Sequence, residues 1–308
     1  MGSKVLNGEL IHSEMTARSK GGTELLAVRL LETVPKSLFD TWEIHISRLG
    51  TQTPGKRQIL WCHDLHNDPA VAHLVNGGWR KFEKIVFVSH WQKQMYEVHL
   101  GVPPSAGIVI PNSIYPMTPV VTPGDGLRLI YTSTPQRGLN IVAPVFNKLA
   151  EEFDHIHLDV YSSFDLYGWS EKDLPYQQLF DVLTQSPRVT YNKSIPNDLL
   201  RDRLQQSHIF VYPSIWPETS CLCLIEAMCA GLTCVHSSLG ALPETSLGMT
   251  VMYDYTENIN DHAYKLYETL RGVILNHERF DNKTVSSIAN LKYSSIYQNQ
   301  RWVGLLST

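Results

Sequence analysis

The sequence predicts an α/β protein built from parallel, doubly wound sheets in two domains. Short apolar runs, of the length of buried strands, alternate with helix-length segments through both halves of the 308 residues. Between Tyr212 and Thr245 a strand, a loop, a helix, a glycine and a second strand follow one another, which is the order of a βαβ unit. A chain of this length with 43% hydrophobic residues can bury two cores.

The first domain is predicted to comprise residues 1–115. Its first twenty residues are polar and contain no convincing strand. A glycine pair, Gly21 and Gly22, then opens an amphipathic helix predicted from about Thr23 to Thr33, and helix-start amides favour anions. Four buried strands and one helix follow, predicted at Ile44–Ser47, Ile59–Cys62, Ile85–Ser89, Gly107–Ile110 and Trp91–His99.

A segment rich in proline and glycine separates the two halves. Tyr115–Gly126 contains three prolines and two glycines, which predicts an interdomain linker at residues 116–126. The second domain, residues 127–291, repeats the alternation of strand and helix. Its strands are predicted at Leu127–Tyr131, His157–Tyr161, Val189–Tyr191, Ile209–Tyr212, Thr233–His236 and Thr250–Tyr253, and two of its helices near Asn197–Gln205 and Asp261–Leu275. A last helix is predicted at about 292–308.

The βαβ unit carries two glutamates. Glu218 precedes, and Glu226 lies inside, a helix predicted from about Thr219 to Ala230, which Gly231 ends as the C′ residue. At 1.5 Å rise per residue the two backbones would stand roughly 12 Å apart. The two carboxylates of a glycosidase stand about 5 to 9.5 Å apart, so this spacing argues against hydrolysis.

Three backbone amides at the predicted start of this helix lie between the glutamates. They belong to Thr219, Ser220 and Cys221. Amides in this position favour phosphate above other ligands. Together with a carboxylate on each side, they suggest a clamp for a nucleotide sugar.

These motifs are similar to those of a known family. Glu, seven residues and Glu, followed by A-M-C-A-G and G-A-L-P-E, resembles the donor-site signature of GT-B retaining glycosyltransferases of family four (glycosyl transferases group 1). The resemblance implies two Rossmann-like domains facing across a cleft, an acceptor-side N-terminal domain and a nucleotide-sugar-binding C-terminal domain. It also implies that the helix at about 292–308 crosses back onto the first domain. The family usually has an apolar strand before the glycine pair, and Val5–His12 matches it poorly, so a trimmed N-terminal domain is expected.

The resemblance implies which residues face the donor sugar. Glu218 would contact the sugar and Glu226 would hold the ribose hydroxyls. A histidine after the strand Ile59–Cys62 would be the active-site histidine, and His63 matches it best, with His66 in reserve. A Glu226 buried in a salt link or turned to bulk solvent, away from the groove between the domains, would overturn the transferase assignment.

The resemblance also implies which residues hold the donor phosphates. Gly21 and Gly22 would lie against them. Arg137, before Gly138, matches one of two basic residues that neutralise the diphosphate, whereas the earlier position falls near Tyr131–Ser133, where only hydroxyls occur. A hydroxyl brings one hydrogen bond and no charge, so another basic residue or a weaker hold is expected.

The implied reaction moves a sugar from a UDP- or GDP-sugar to a saccharide or other small acceptor with retention of configuration and without a cofactor. No Asp-x-Asp triplet occurs, so the transfer is expected to be independent of a metal. Two alternatives remain: a nucleotide-sugar epimerase on the same scaffold, and a non-catalytic subunit that binds a sugar or nucleotide sugar. The missing basic residue and the trimmed start favour the second of these.

Composition limits the other partners. A net charge of −4 with 26 basic residues predicts no nucleic-acid binding, and no apolar run reaches about 18 residues. The odd number of cysteines argues against a disulfide framework and predicts a reduced, cytoplasmic protein, while a zinc site with His208 or His236 is disfavoured. The sequence specifies no oligomeric state.

Overall fold

A computed structural model describes residues 2–12, 21–119 and 126–308. They divide into two compact units: unit 1 contains Met1–Pro116, Glu218–Leu222 and Leu291–Thr308, and unit 2 contains Met117–Pro217 and Cys223–Asn290. Residues 120–125 of the predicted linker lie outside the described residues. None of the helices in these ranges has both the length and the apolar character needed to cross a membrane.

Unit 1 is built on a six-stranded sheet in the order β2-β1-β3-β4-β5-β6. The strands are β1 (Lys4–Leu6), β2 (Glu9–Ile11), β3 (Trp42–Ile46), β4 (Arg57–Trp61), β5 (Lys84–Phe87) and β6 (Gly107–Val109). Strands β3 to β6 are parallel, whereas β1 runs antiparallel to both of its neighbours. This arrangement gives the predicted parallel sheet an antiparallel hairpin at one edge.

The hairpin corrects the prediction that the first twenty residues contain no strand. Asn7 and Gly8, between β1 and β2, have φ values of 51° and 72°. Two left-handed residues form the turn that best matches the twist of paired strands, and Asn-Gly is its strongest sequence signal. Val5 on β1 is fully buried in the core of unit 1.

A buried carboxylate links this hairpin to β3. Glu43 accepts hydrogen bonds from Lys4 Nζ (2.5 Å), Thr53 N (2.7 Å) and Thr53 Oγ1 (2.9 Å). Burial alone would raise the pKa of Glu43, but the bonds from Lys4 and Thr53 outweigh it and lower that pKa to about 2. The carboxylate is therefore ionised and holds β1 in place at neutral pH.

In its described part, unit 1 also contains the α-helices α1 (Gly22–Thr33), α2 (His90–Leu100) and α10 (Ser295–Leu306). Ser89 caps α2 by accepting from Gln92 N at 3.0 Å. On α10, Trp302 packs edge-on against Trp61 with ring centroids 4.9 Å apart. The C-terminal helix thus packs on the sheet of unit 1.

Unit 2 contains a second six-stranded sheet, in the order β12-β11-β10-β7-β8-β9, and its strand pairs are all parallel. The strands are β7 (Leu127–Thr132), β8 (Ile156–Tyr161), β9 (Val189–Tyr191), β10 (Ile209–Tyr212), β11 (Thr233–Ser237) and β12 (Val251–Tyr253). The helices are α3 (Leu139–Glu152), α4 (Gln177–Gln185), α5 (Asn197–Gln205), α7 (Leu242–Thr245), α8 (Ile259–Leu275) and α9 (Asn282–Tyr293). The strand order reverses after β9, which confirms the predicted doubly wound sheet.

The remaining helix, α6 (Leu222–Cys229), is shorter than predicted. Its C-terminus follows the prediction: Gly231 has φ 84°, and Leu232 N donates to Ala227 O at 3.1 Å. Its N-terminus does not, because Thr219–Cys221 precede the helix instead of forming its first turn. A distance based on helical rise therefore does not apply to Glu218, and the predicted spacing no longer counts against hydrolysis.

Candidate functional site

Two candidate residues of unit 1, His63 and Thr219, lie at the carboxyl ends of β4 and β5. Thr219 Oγ1 donates to the backbone oxygen of His63 at 2.9 Å, just beyond β4. Ser89 Oγ, just beyond β5, donates to the backbone oxygen of Thr219 at 2.6 Å. The segment Glu218–Leu222 is thereby fixed across two neighbouring parallel strands, at the edge where α/β sheets bind ligands.

The His63 side chain is neutral and has one unused nitrogen. Its ring packs on Trp61 with centroids 4.8 Å apart, and burial lowers its pKa to about 3. Nε2 is inaccessible and has no hydrogen-bond partner within the described residues. The backbone oxygen, which accepts from Thr219, keeps a second lone pair, so the geometry does not decide whether the ring or the carbonyl would contact a ligand. Its predicted role at the donor sugar stays a prediction.

The reserve histidine has different surroundings. The ring of His66 stacks on that of His99, with centroids 4.3 Å apart and planes inclined by 20°. Burial and, secondarily, the neighbouring His99 lower the pKa of His66. Both histidines therefore pack on a neighbouring ring, His63 on Trp61 and His66 on His99.

The glycine pair begins α1 as predicted. The packing of α1 against Leu222 leaves no room for a side chain at Gly22. Gly21 is the N-cap residue, with an ordinary φ of −70°. A Cβ on Gly22 would lie 2.8 Å from Leu222 Cδ1, closer than such contacts normally occur. The close contact between α1 and Leu222 therefore explains why residue 22 is a glycine. This packing does not test the predicted contact of Gly21 and Gly22 with the donor phosphates.

The residues predicted to offer amides to a phosphate lie in the loop before α6. Glu218 and Cys221 are buried, with 8% and 3% of their surfaces exposed, and Ser220 is partly exposed. Helix-start amides belong to the first residues of a helix, which here begins at Leu222. The amides of Thr219–Cys221 therefore do not lie in the first turn of the helix. Their predicted binding of phosphate remains a prediction.

In unit 2, the loop carrying Arg137 packs against the end of β10. Gly138 has φ 104°, and a Cβ there would lie 2.2 Å from the backbone oxygen of Pro213. The Arg137 guanidinium carbon lies 5.3 Å from the ring centroid of Trp216, a cation–π contact. Trp216 is 45% exposed and was not among the residues predicted from sequence. The sequence did contain a signal for it, an aromatic residue in the loop between the predicted strand Ile209–Tyr212 and Pro217-Glu218.

Glu226 is buried on α6 and already has protein partners. Asn197 Nδ2 donates to its two carboxylate oxygens at 3.3 and 3.1 Å, and Arg201 Nη1 lies 3.7 Å from Oε1. This salt link is the arrangement that counts against the transferase interpretation of Glu226, and its ribose contact remains a prediction. Neither partner was predicted from sequence, although the two lie one turn apart on a predicted helix.

The cysteines behave as buried thiols. None of the five, all of which lie in the described ranges, forms a disulfide. Burial raises the pKa of Cys229 to about 12 and that of Cys62 and Cys234 well above the ordinary value. Groups of three or more residues able to hold a metal ion do not occur among the residues that the structure describes. The reduced, cytoplasmic location stays a prediction.

Comparison with known sequences identifies related proteins. Residues 128–269 match the family described as glycosyl transferases group 1. The gpi3 subunit of phosphatidylinositol N-acetylglucosaminyltransferase from Schizosaccharomyces pombe is 22% identical over 211 residues, which cover 65% of this chain and 45% of that protein. The chain thus spans about half the length of this relative.

Solved structures give the fold. HepE of Anabaena, in complex with UDP and glucose, superposes with a TM-score of 0.66 at 15% identity over 82% of this chain and 72% of its own. A glycosyltransferase of Rickettsia africae superposes with a TM-score of 0.66 at 12% identity over 96% of this chain and 84% of its own. These similarities give the chain the GT-B fold, and residues 128–269 are the part that matches the glycosyl transferases group 1 model.

Proposed function

We propose that this chain transfers a sugar from a nucleoside-diphosphate sugar to an acceptor hydroxyl, with retention of configuration and without a metal. The observation that carries the proposal is the family match over residues 128–269, because this segment contains Arg137, Glu218 and Glu226. A UDP-sugar is the proposed donor, since HepE is in complex with UDP and the Schizosaccharomyces pombe relative is named for N-acetylglucosamine transfer.

The chemistry requires stabilisation of a leaving diphosphate. As the bond from the sugar C1 to the phosphate oxygen breaks and the bond to the acceptor oxygen forms, the leaving phosphate gains charge and takes the acceptor proton. Arg137 is proposed to donate two parallel hydrogen bonds to it, held in orientation by the Trp216 ring. His63, neutral at pH 7, is proposed to position the sugar, and Glu218 to orient its hydroxyls.

One observation favours a second candidate, a non-catalytic subunit that binds a nucleotide sugar. The Glu226 carboxylate is committed to Asn197 and Arg201 rather than open on all sides to a ribose. The Schizosaccharomyces pombe relative is itself named as one subunit of a transferase. A non-catalytic protein of this kind would bind donor without releasing nucleotide.

Nucleotide release from UDP-glucose and UDP-N-acetylglucosamine in the presence of EDTA distinguishes the two candidates. We expect release by the unmodified chain and a loss of about 10²–10³-fold in Arg137→Ala, because the positive charge proposed to stabilise the leaving group is removed. Arg279→Ala, which changes an exposed arginine elsewhere in unit 2, is the control and should retain activity. Binding of UDP without turnover would support the non-catalytic candidate, and no binding of UDP would refute the proposal.

The contact between Thr219 and His63 provides a second test. Thr219→Val removes the hydroxyl that bonds the His63 backbone oxygen at 2.9 Å while keeping the side-chain shape. We expect kcat to fall by about tenfold, because small displacements of positioning groups slow transfer. Thr219→Ser keeps a hydroxyl and should retain most activity. Equal losses in the two variants would show that the bond does not position His63.

A further inference from the structure

One face of the sheet in unit 2 is polar along β8. This strand reads I-H-L-D-V-Y, and Leu158 and Val160 are fully buried. The intervening residues point to the opposite face, where the strand register places Asp159 beside Thr190. Parallel strands covered on both faces are ordinarily apolar throughout. On this face Arg128 and Thr190 are exposed and Asp159 is partly exposed, so the face is open to solvent and accessible to a ligand.

A cavity of about 520 Å³ lies along this polar face, within unit 2 and beside α5. This volume is within the range of small-molecule sites, about 300–1,000 Å³. Its polar and aromatic lining includes Arg128, Asp159, Tyr161, Thr190, Asp202 and Arg203. The cavity thus combines an aromatic ring with groups that donate and accept hydrogen bonds.

The charges of this lining balance. Arg128 Nη1 lies 3.6 Å from Asp159 Oδ2, and Arg203 and Asp202 add one further charge of each sign. A phosphate site would need surplus positive charge, which this described lining does not have. A ligand with several hydroxyls uses such a lining well, because each hydroxyl both donates and accepts. The Tyr161 ring, 8% exposed, offers an apolar surface to the C–H groups of a sugar ring.

Helix α5 separates this cavity from Glu226. Asn197 and Arg201, four residues apart, contact Glu226 from one side of the helix. Leu199 and Arg203, also four residues apart, line the cavity. Positions offset by two residues lie about 200° apart around a helix, so the two pairs occupy opposite sides.

We propose that this cavity is a second binding site, specific for an uncharged saccharide and separate from the donor residues. Carboxylate, guanidinium and hydroxyl groups around Tyr161 would bind the sugar hydroxyls. The proposal does not depend on transferase activity, since a non-catalytic binding protein could carry the same site.

Titration of the whole chain with glucose and with glucose 6-phosphate, followed by saturation-transfer NMR, tests the site. We expect glucose to bind with a dissociation constant of about 1–10 mM and the phosphate to bind no more tightly. Asp159→Asn should weaken glucose binding about tenfold or more, because a charged acceptor is lost. Asp181→Asn, on the exposed surface of α4, is the control and should leave it unchanged.

A blocking variant covers the case in which Asp159→Asn misfolds. Leu199 lines the cavity from an exposed position of α5, so Leu199→Trp should fill it without removing a polar group and should abolish binding. Glucose should remain bound in Glu226→Ala and in excess UDP. Absence of glucose binding, displacement by UDP, loss of binding in Glu226→Ala, or tighter binding of glucose 6-phosphate would each overturn the proposal.

Discussion

Replacing Arg201 by alanine tests how firmly the protein itself holds Glu226. The two side chains are 16% and 5% exposed, and Arg201 Nη1 lies 3.7 Å from Glu226 Oε1. Removal of one partner from a buried ion pair costs about 3–5 kcal/mol, chiefly because the other charge is left without compensation. Asn197 still donates to both Glu226 oxygens, so we expect a smaller loss of about 2–3 kcal/mol in the free energy of unfolding.

Urea unfolding followed by circular dichroism measures this loss, and a thermal scan should show a midpoint lowered by about 4–12 °C. Arg203→Ala is the matched control, because Arg203 lies on the same helix and is exposed. It should cost less than about 0.5 kcal/mol. If Arg201→Ala costs no more than this control, the ion pair does not hold Glu226, and its carboxylate is available to a ribose.

Three further changes test the fold. Gly138→Ala should destabilise the chain by more than about 1 kcal/mol in urea unfolding, since φ is 104° and the new Cβ would lie 2.2 Å from Pro213 O. Gly272→Ala should instead stabilise it by up to about 1 kcal/mol, because Gly272 lies inside α8 and a Cβ there would have no atom within 4 Å. The pKa of Glu43 falls from 4.5 to about 2 on folding, so its contribution of about 3 kcal/mol is present above pH 4.5 and lost as the pH falls towards 2. Glu43→Gln should flatten the dependence of unfolding free energy on pH in that window, whereas the exposed Asp181→Asn should leave it unchanged; equal curves for the two variants would contradict the assignment.

The parallel sheets were predictable from sequence because their strands are nearly continuous apolar runs. Ile209–Tyr212, for example, was predicted with its observed bounds, and each of its residues is buried. The hairpin at the edge of unit 1 was missed because its strands contain the charged residues Lys4 and Glu9 and form no continuous apolar run. Its turn, Asn7-Gly8, was nevertheless a readable signal.

The start of α6 could not be predicted from local sequence. Thr219 would serve as a helix residue by propensity, yet its hydroxyl and its backbone oxygen bond His63 and Ser89, which lie 156 and 130 positions away. These contacts hold Thr219 outside the helix, which begins only at Leu222. Likewise, the link between Glu226 and Asn197 spans 29 positions and leaves no local pattern. Tertiary hydrogen bonds here outweigh helix propensity, which amounts to less than about 1 kcal/mol per residue.

The candidate residues differ in how directly a substitution reports on ligand binding. A side chain at Gly22 would clash with Leu222. A loss of activity in Gly22→Ala could therefore result either from displacement of α1 or from loss of a contact with phosphate. Glu226 has the same ambiguity, because its removal also leaves Arg201 without its carboxylate. Arg137 instead contacts Trp216, a ring that is itself 45% exposed. Arg137 is itself only partly exposed, so urea unfolding of Arg137→Ala is the necessary control for its effect on activity. If the variant unfolds at the same urea concentration as the unmodified chain, its effect on nucleotide release can be attributed to the lost positive charge.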